Sequence, residues 1–163
     1  MIFSDILNFM DGEAVKLGLP IYFGDTSTIN ELVNDISGMF LTFDVPDGGM
    51  SKLPPATRKY NVVLQCLDKS YYLTDNVAEL DTLMRTDLAL NKLMSAFVCH
   101  FDVDGLSFKK VQNIYDSMKS GWSVTFSITD DLLNYGEGDI AGCRTDKKGN
   151  LRILCFERFG SVW

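Results

Sequence analysis

The sequence predicts an α+β fold, in which a mainly antiparallel sheet carries one long helix across a face. Two patterns lead to this prediction. From Trp122 to Thr129, large apolar residues alternate with hydroxyl residues, which is the period of a strand with one buried face. From Asp75 to Val98, apolar residues recur at helical spacing. The alternating strand–helix rhythm of a doubly wound parallel sheet is absent.

The first forty residues predict two helices before the main strands begin. Apolar residues spaced along one face indicate a first helix, which Gly18 and Pro20 end. A short apolar segment follows at 19–23. Thr28 and Glu31 then have the three-residue spacing of a capping box, which predicts the start of a short second helix.

A long hairpin is expected next. Residues 39–45 and 59–67 have strand patterns. The stretch between them is rich in proline and glycine, so it predicts a loop of about a dozen residues, a length that is uncommon unless the loop has a function. This predicted loop includes Pro46, Asp47, Gly48, Gly49, Met50, Ser51, Lys52, Leu53 and Pro54.

The longest helix is predicted to begin at Asp75 or Asn76, with Glu79 placed to complete the cap. Its apolar stripe is expected to lie on the sheet, and its charged residues on the other side. The stripe comprises Val77, Leu80, Leu83, Met84, Leu88, Met94, Phe97 and Val98.

Two further hairpins are expected after the helix. A turn at 102–105, a strand at 108–115 and a turn at Ser120–Gly121 precede the alternating strand. Residues 145–150 are typical of a turn, which predicts a C-terminal hairpin between 140–144 and 151–156.

Composition and charge narrow the range of functions. The chain has 163 residues, enough for one ordinary domain. Neither a membrane helix nor a secretory leader is apparent, so we expect folding in a cytoplasm. The net charge of −7 comes from the first fifty residues, where eight acids accompany only Lys16. Such a charge argues against wrapping DNA, and it fits a solvated face or an acidic end that meets a basic partner.

The cysteines and the histidine do not form a recognisable site. Cys66, Cys99, Cys143 and Cys155 are widely spaced, and a single histidine accompanies them, so the spacing does not predict zinc binding. We interpret the cysteines as reduced and mostly packed. His100 follows Cys99, but the sequence places no acid to orient it, and a histidine at a helix end is the simpler interpretation.

The paired acids are equally uninformative about catalysis. Asp102 and Asp104 lack the other ligands of a calcium loop, and Asp130 and Asp131 lack a third ligand. Gly48-Gly49 lacks the lysine of a phosphate-binding loop. The sequence therefore predicts a protein without a cofactor, a metal or an enzymatic site.

Two stretches carry a resemblance to a known family. The segment from Arg58 to Lys69, together with the long helix after it, resembles the middle of phage tail-completion and tail-terminator-like proteins, especially those of phages and prophages in Bacteroidetes. The segment from Gly121 to Asp130 is similar to their closing strand. The resemblance covers residues 1–135, and 136–163 is expected to be a hairpin extension.

The resemblance implies a virion structural protein that assembles in the host cytoplasm. It would form a ring, commonly of six or twelve copies, at the neck or upper tail, joining portal-side connector proteins to the tail tube around a DNA channel. The predicted loop from Pro46 to Pro54 would contact a neighbouring copy. The expected channel-facing acids are Asp25, Glu31, Asp44 and Asp47. DNA would pass without sequence-specific binding, and no membrane would be involved.

A different class of function fits the same sequence. A small acidic cytoplasmic module, such as a regulator or an immunity-type protein, would use the acidic surface to bind a basic partner. The sequence leaves this alternative open.

Overall fold

The computed structural model describes residues 3–50 and 57–131, and within these ranges it confirms the α+β class. A five-stranded, mostly antiparallel sheet carries the long helix on one face. The elements in chain order are α1 (Phe3–Leu17), β1 (Ile21–Phe23), α2 (Thr26–Val33), β2 (Phe40–Met50), β3 (Thr57–Lys69), α3 (Asn76–His100), β4 (Val103–Ile114) and β5 (Lys119–Asp131).

The strands lie in the order β1-β2-β3-β5-β4. All neighbours are antiparallel except β1 and β2, which run parallel and are joined through α2. Sequence patterns did not identify β1 as a strand, because three residues are too short to show a period.

The two faces of the sheet carry separate cores. Helices α1 and α3 cover one face, where the largest buried side chains include Leu64, Phe97 and Phe126. Helix α2 covers part of the other face through Ile29 and Val33. The alternation predicted for 122–129 is confirmed, since its large apolar side chains all belong to or pack against the α1–α3 core.

The predicted long loop is wrong over its first half. Strand β2 continues to Met50 and β3 begins at Thr57, so the two strands extend as a paired arm beyond the core. A register shift between Asp44 and Asp47 accommodates the proline. β1 pairs with β2 only as far as Phe43, so beyond it β2 has an open edge, and a bulge there lets Pro46 sit in the strand without donating to the ladder.

Several predicted ends and turns also differ. Asp25, rather than Thr28, caps α2, and its carboxylate accepts from the Thr28 N–H at 2.8 Å. The predicted turn at 102–105 lies at the start of β4, and the β4–β5 turn is at 115–118 rather than at Ser120–Gly121. The C-terminal hairpin and the boundary at 135/136 lie outside the described residues.

Candidate assembly surface on helix α3

The first half of α3 presents its apolar residues to solvent, which contradicts the predicted stripe. Asp75 caps the helix by accepting from the N–H groups of Val77 and Ala78, as expected. Met94 and Phe97, in the second half, are buried as predicted. Leu83 is half-buried, and Val98 near the end of the helix is 43% exposed. In the first half of the helix, four residues of the predicted stripe are exposed, by 79%, 58%, 65% and 58% respectively: Val77, Leu80, Met84 and Leu88.

We call these four residues the outer row. Their intervals of three, four and four residues place them along one line of a helix. They are opposite the buried residues Thr82, Thr86 and Leu93, as 100° per residue requires. The outer row therefore lies on the solvent side of α3 and has no cover from the described part of the chain.

The reason for this orientation is a polar interface beneath the helix. The Glu79 side chain is only 4% exposed, and its carboxylate is surrounded by donors. Its Oε2 accepts from the Tyr71 N–H at 2.7 Å, and its Oε1 accepts from Gln112 Nε2 at 3.1 Å. Glu79 therefore joins α3 to β4 and to the segment before the helix, rather than completing the predicted cap.

The electrostatics of Glu79 follow from these contacts. Burial by itself raises the pKa of the carboxyl, but hydrogen bonds from Tyr71, Gln112, Ser120 and Ser70 together lower its pKa below the ordinary value. The group is therefore held as a carboxylate in a buried position. A charged, fully partnered residue can face the sheet where the predicted stripe would have placed leucines.

Other polar contacts fix the same face of α3. Thr82 Oγ1 donates to the Lys69 carbonyl at 3.4 Å, and Trp122 Nε1 donates to the Leu83 carbonyl at 3.0 Å. Arg85 bridges Asp68 at 2.9 Å and Asp81 at 2.8 Å. These contacts set the rotation of the helix about its axis, so the outer row cannot turn towards the sheet without breaking them.

A shallow depression extends the outer row at its C-terminal end. Leu88 lines it together with three half-buried apolar side chains, Leu17 at the end of α1, Leu19 just after it and Met39 just before β2. Two cations, Arg85 and Lys92, lie at its rim. The apolar surface is thus broader than the row alone.

The residues predicted for a contact between copies do not form a loop in the part that the structure describes. Pro46 to Met50 form the outer half of β2, and Met50 is 67% exposed. A Cβ at Gly48 would lie 2.7 Å from the Lys59 carbonyl oxygen, so the close pairing of the arm requires glycine there. Ser51, Lys52, Leu53 and Pro54 lie outside the described residues.

The four acids expected to face a channel all lie on the α2 side of the sheet. Asp25 caps α2, and Glu31 is exposed on that helix. Asp44 is half-buried, and strand alternation places it on the same face as Phe40, which packs against α2. Asp47 accepts from Asn61 Nδ2 at 2.6 Å on that face. The outer row is on the opposite side of the sheet.

The histidine packs on an aromatic ring, and the two described cysteines lie on different elements. His100 ends α3 and stacks on Phe9 with ring centroids 4.6 Å apart. Cys66 is buried, and burial raises the pKa of its thiol to about 12, whereas Cys99 is exposed. Cys143 and Cys155 lie outside the described residues. Asp130 and Asp131 are the last residues of β5.

Two negative observations apply to residues 3–50 and 57–131. No group of three histidine, cysteine or acidic side chains there is placed to hold a metal ion. No helix there is both long and apolar enough to span a bilayer.

No protein-family model matches the chain, and a search of curated proteins also finds no match.

Proposed function

We propose that this chain is a non-enzymatic structural protein that forms a ring at a phage head–tail junction or upper tail. It would connect portal-side proteins to the tail and leave a channel for DNA. The observation that carries the assembly role is the outer row, in which four large apolar side chains of one helix face solvent. The phage setting rests on the sequence resemblance alone.

The outer row is costly to leave in water. Covering a large aliphatic side chain is worth about 1.5–3 kcal/mol, so an uncovered row of four forgoes several kcal/mol. The polar face of α3 already makes hydrogen bonds with the sheet and the segment before the helix. Rotating the helix to bury the outer row would break these bonds. An exposed apolar patch of this kind is typical of a surface that another protein covers.

Further surfaces support repeated contacts between copies. Strand β4 is an outer strand of the sheet, and most of its residues are exposed. The β2–β3 arm extends the opposite part of the sheet, and its outer edge beyond β1 has no strand partner among the described residues. Unpaired edges of this kind can pair with a second chain. The arm and the sheet edges are therefore our candidates for closing a ring.

The acids on the α2 side favour a second candidate function. Asp25, Glu31, Asp44 and Asp47 share one side of the sheet, and such a surface could bind a basic partner instead of lining a channel. An acidic binding module of this kind would not need the outer row to contact another copy. A loss of assembly on removal of the row therefore favours the assembly protein over the binding module.

The test is the double substitution of Leu80→Glu and Met84→Glu in the full chain. Both side chains are exposed, so folding should be unchanged, as circular dichroism and the melting temperature would show. We expect the contacts made through α3 to be lost, so that the double variant sediments as a smaller species than the wild-type chain. The matched control is Leu32→Glu, since Leu32 is 52% exposed on α2 and lies on the other side of the sheet. Equal assembly of the double variant and the wild-type chain would refute the assembly role of α3.

A further inference from the structure

The outer row has the properties of a self-complementary surface. The pairs Val77 and Leu88, and Leu80 and Met84, are nearly symmetric about a point between residues 82 and 83. If a second α3 runs antiparallel across the first, Val77 meets Leu88 of the other copy, and Leu80 meets Met84. Both helices then contribute the same four side chains, as a two-fold interface requires.

We propose that, in the isolated protein, the outer row is covered by the outer row of a second copy through antiparallel packing of α3 on α3. This inference rests on the proposed function, because it names the partner that covers the same surface. Helices packed in this way have axes about 8–10 Å apart, and residues spaced by three and four positions, as in the outer row, suit such packing.

The charges beside the row favour the antiparallel arrangement. Asp81 and Arg85 lie on the same flank of the row and are exposed, with side-chain exposures of 65% and 48%. A two-fold axis perpendicular to the helices brings this flank of both copies to the same side. Asp81 of one copy then lies within about one helical turn of Arg85 of the other, so the ion pair that each helix already makes between these residues joins its counterpart in one network. In a parallel pair the two flanks lie on opposite sides, and this cross-pairing is lost.

This contact between two copies would also remove the outer row from water before a larger assembly forms. A two-fold contact stops at two copies and leaves the sheet edges free for ring closure. Both contacts together would join two rings face to face.

Cysteine cross-linking tests the direction of the helices. The background is the full chain with Cys99→Ser, Cys143→Ser and Cys155→Ser, because Cys66 is buried. Val77→Cys is prepared with an affinity tag and Leu88→Cys without one, and the two are mixed and treated with a short bismaleimide. The antiparallel pair places these positions opposite each other, whereas two copies of residue 77 are about 16 Å apart along the axis.

We expect the mixed 77–88 link to exceed the 77–77 link at least tenfold on a denaturing gel. Leu32→Cys, on α2, is the control and should give no link. A dominant 77–77 link would mean parallel helices, and no link from either position would mean that α3 does not meet α3. Either result overturns the inference. Ring formation in light scattering without a 77–88 link would overturn the inference and leave the proposed function standing.

Discussion

Replacing Gly121 with alanine should unfold the protein or destabilise it by about 3 kcal/mol or more. Gly121 lies in β5 opposite Leu67 of β3. A Cβ there would overlap the carbonyl oxygen of Cys66 and lie 3.1 Å from the Leu67 Cα. These are backbone atoms in the middle of the sheet, so they cannot move aside as a flexible side chain could. Chemical denaturation with fluorescence detection measures the loss.

The matched control is Gly49→Ala. Gly49 also lies in a strand, but a Cβ there would have no neighbour within 4 Å. We expect a change within about 0.5 kcal/mol for this control. A Gly121→Ala variant as stable as the control would show that β3 and β5 are not paired as closely as described.

Replacing Glu79 with glutamine should cost about 2 kcal/mol near neutral pH, because the buried carboxylate accepts several hydrogen bonds and an amide group cannot accept all of them. The variant should also change the pH dependence. The pKa of Glu79 is lowered in the folded state, so its contribution is fully present above the ordinary value of 4.5 and is lost as pH falls through the lowered pKa. Wild-type stability should therefore fall more steeply in acid than that of Glu79→Gln.

The measurement is urea unfolding of both proteins from pH 7 down to pH 3. Glu31→Gln is the control, since Glu31 is exposed and should give the wild-type profile. Parallel pH profiles for Glu79→Gln and the wild-type chain would contradict the role of the carboxylate. The Glu79→Gln variant should also assemble less through the outer row, because Glu79 fixes the rotation of α3.

The fold class could be predicted because its main signals are local. The alternation at 122–129 and the helical spacing after Asp75 each describe one element, and both elements were confirmed. Strand β1 could not be predicted in the same way, since its pairing with β2 depends on the crossover through α2 rather than on its own residues. The extension of β2 to Met50 was missed because Pro46 and two glycines outweighed the pattern, whereas a bulge accommodates them.

The candidate surface was missed because the sequence pattern was assigned to the wrong face. The apolar residues from Val77 to Leu88 form a valid helical stripe, and pattern alone directs such a stripe to the core. A second stripe runs through Glu79, Thr82 and Thr86 and continues in Leu90, Leu93 and Phe97. The sequence signal for this second stripe is that it continues into the apolar second half of the helix. Recognising that this second stripe faces the sheet requires the hydrogen-bond partners of Glu79, which come from segments distant in sequence.

The mass of the full chain in solution decides whether this protein assembles with copies of itself. Light scattering from micromolar to near-millimolar protein, with negative-stain imaging of any large fraction, distinguishes the assemblies. We expect pairs of copies at low concentration and closed rings of six or twelve copies at high concentration. A single small species at every concentration, with no closed rings in the images, would contradict the account.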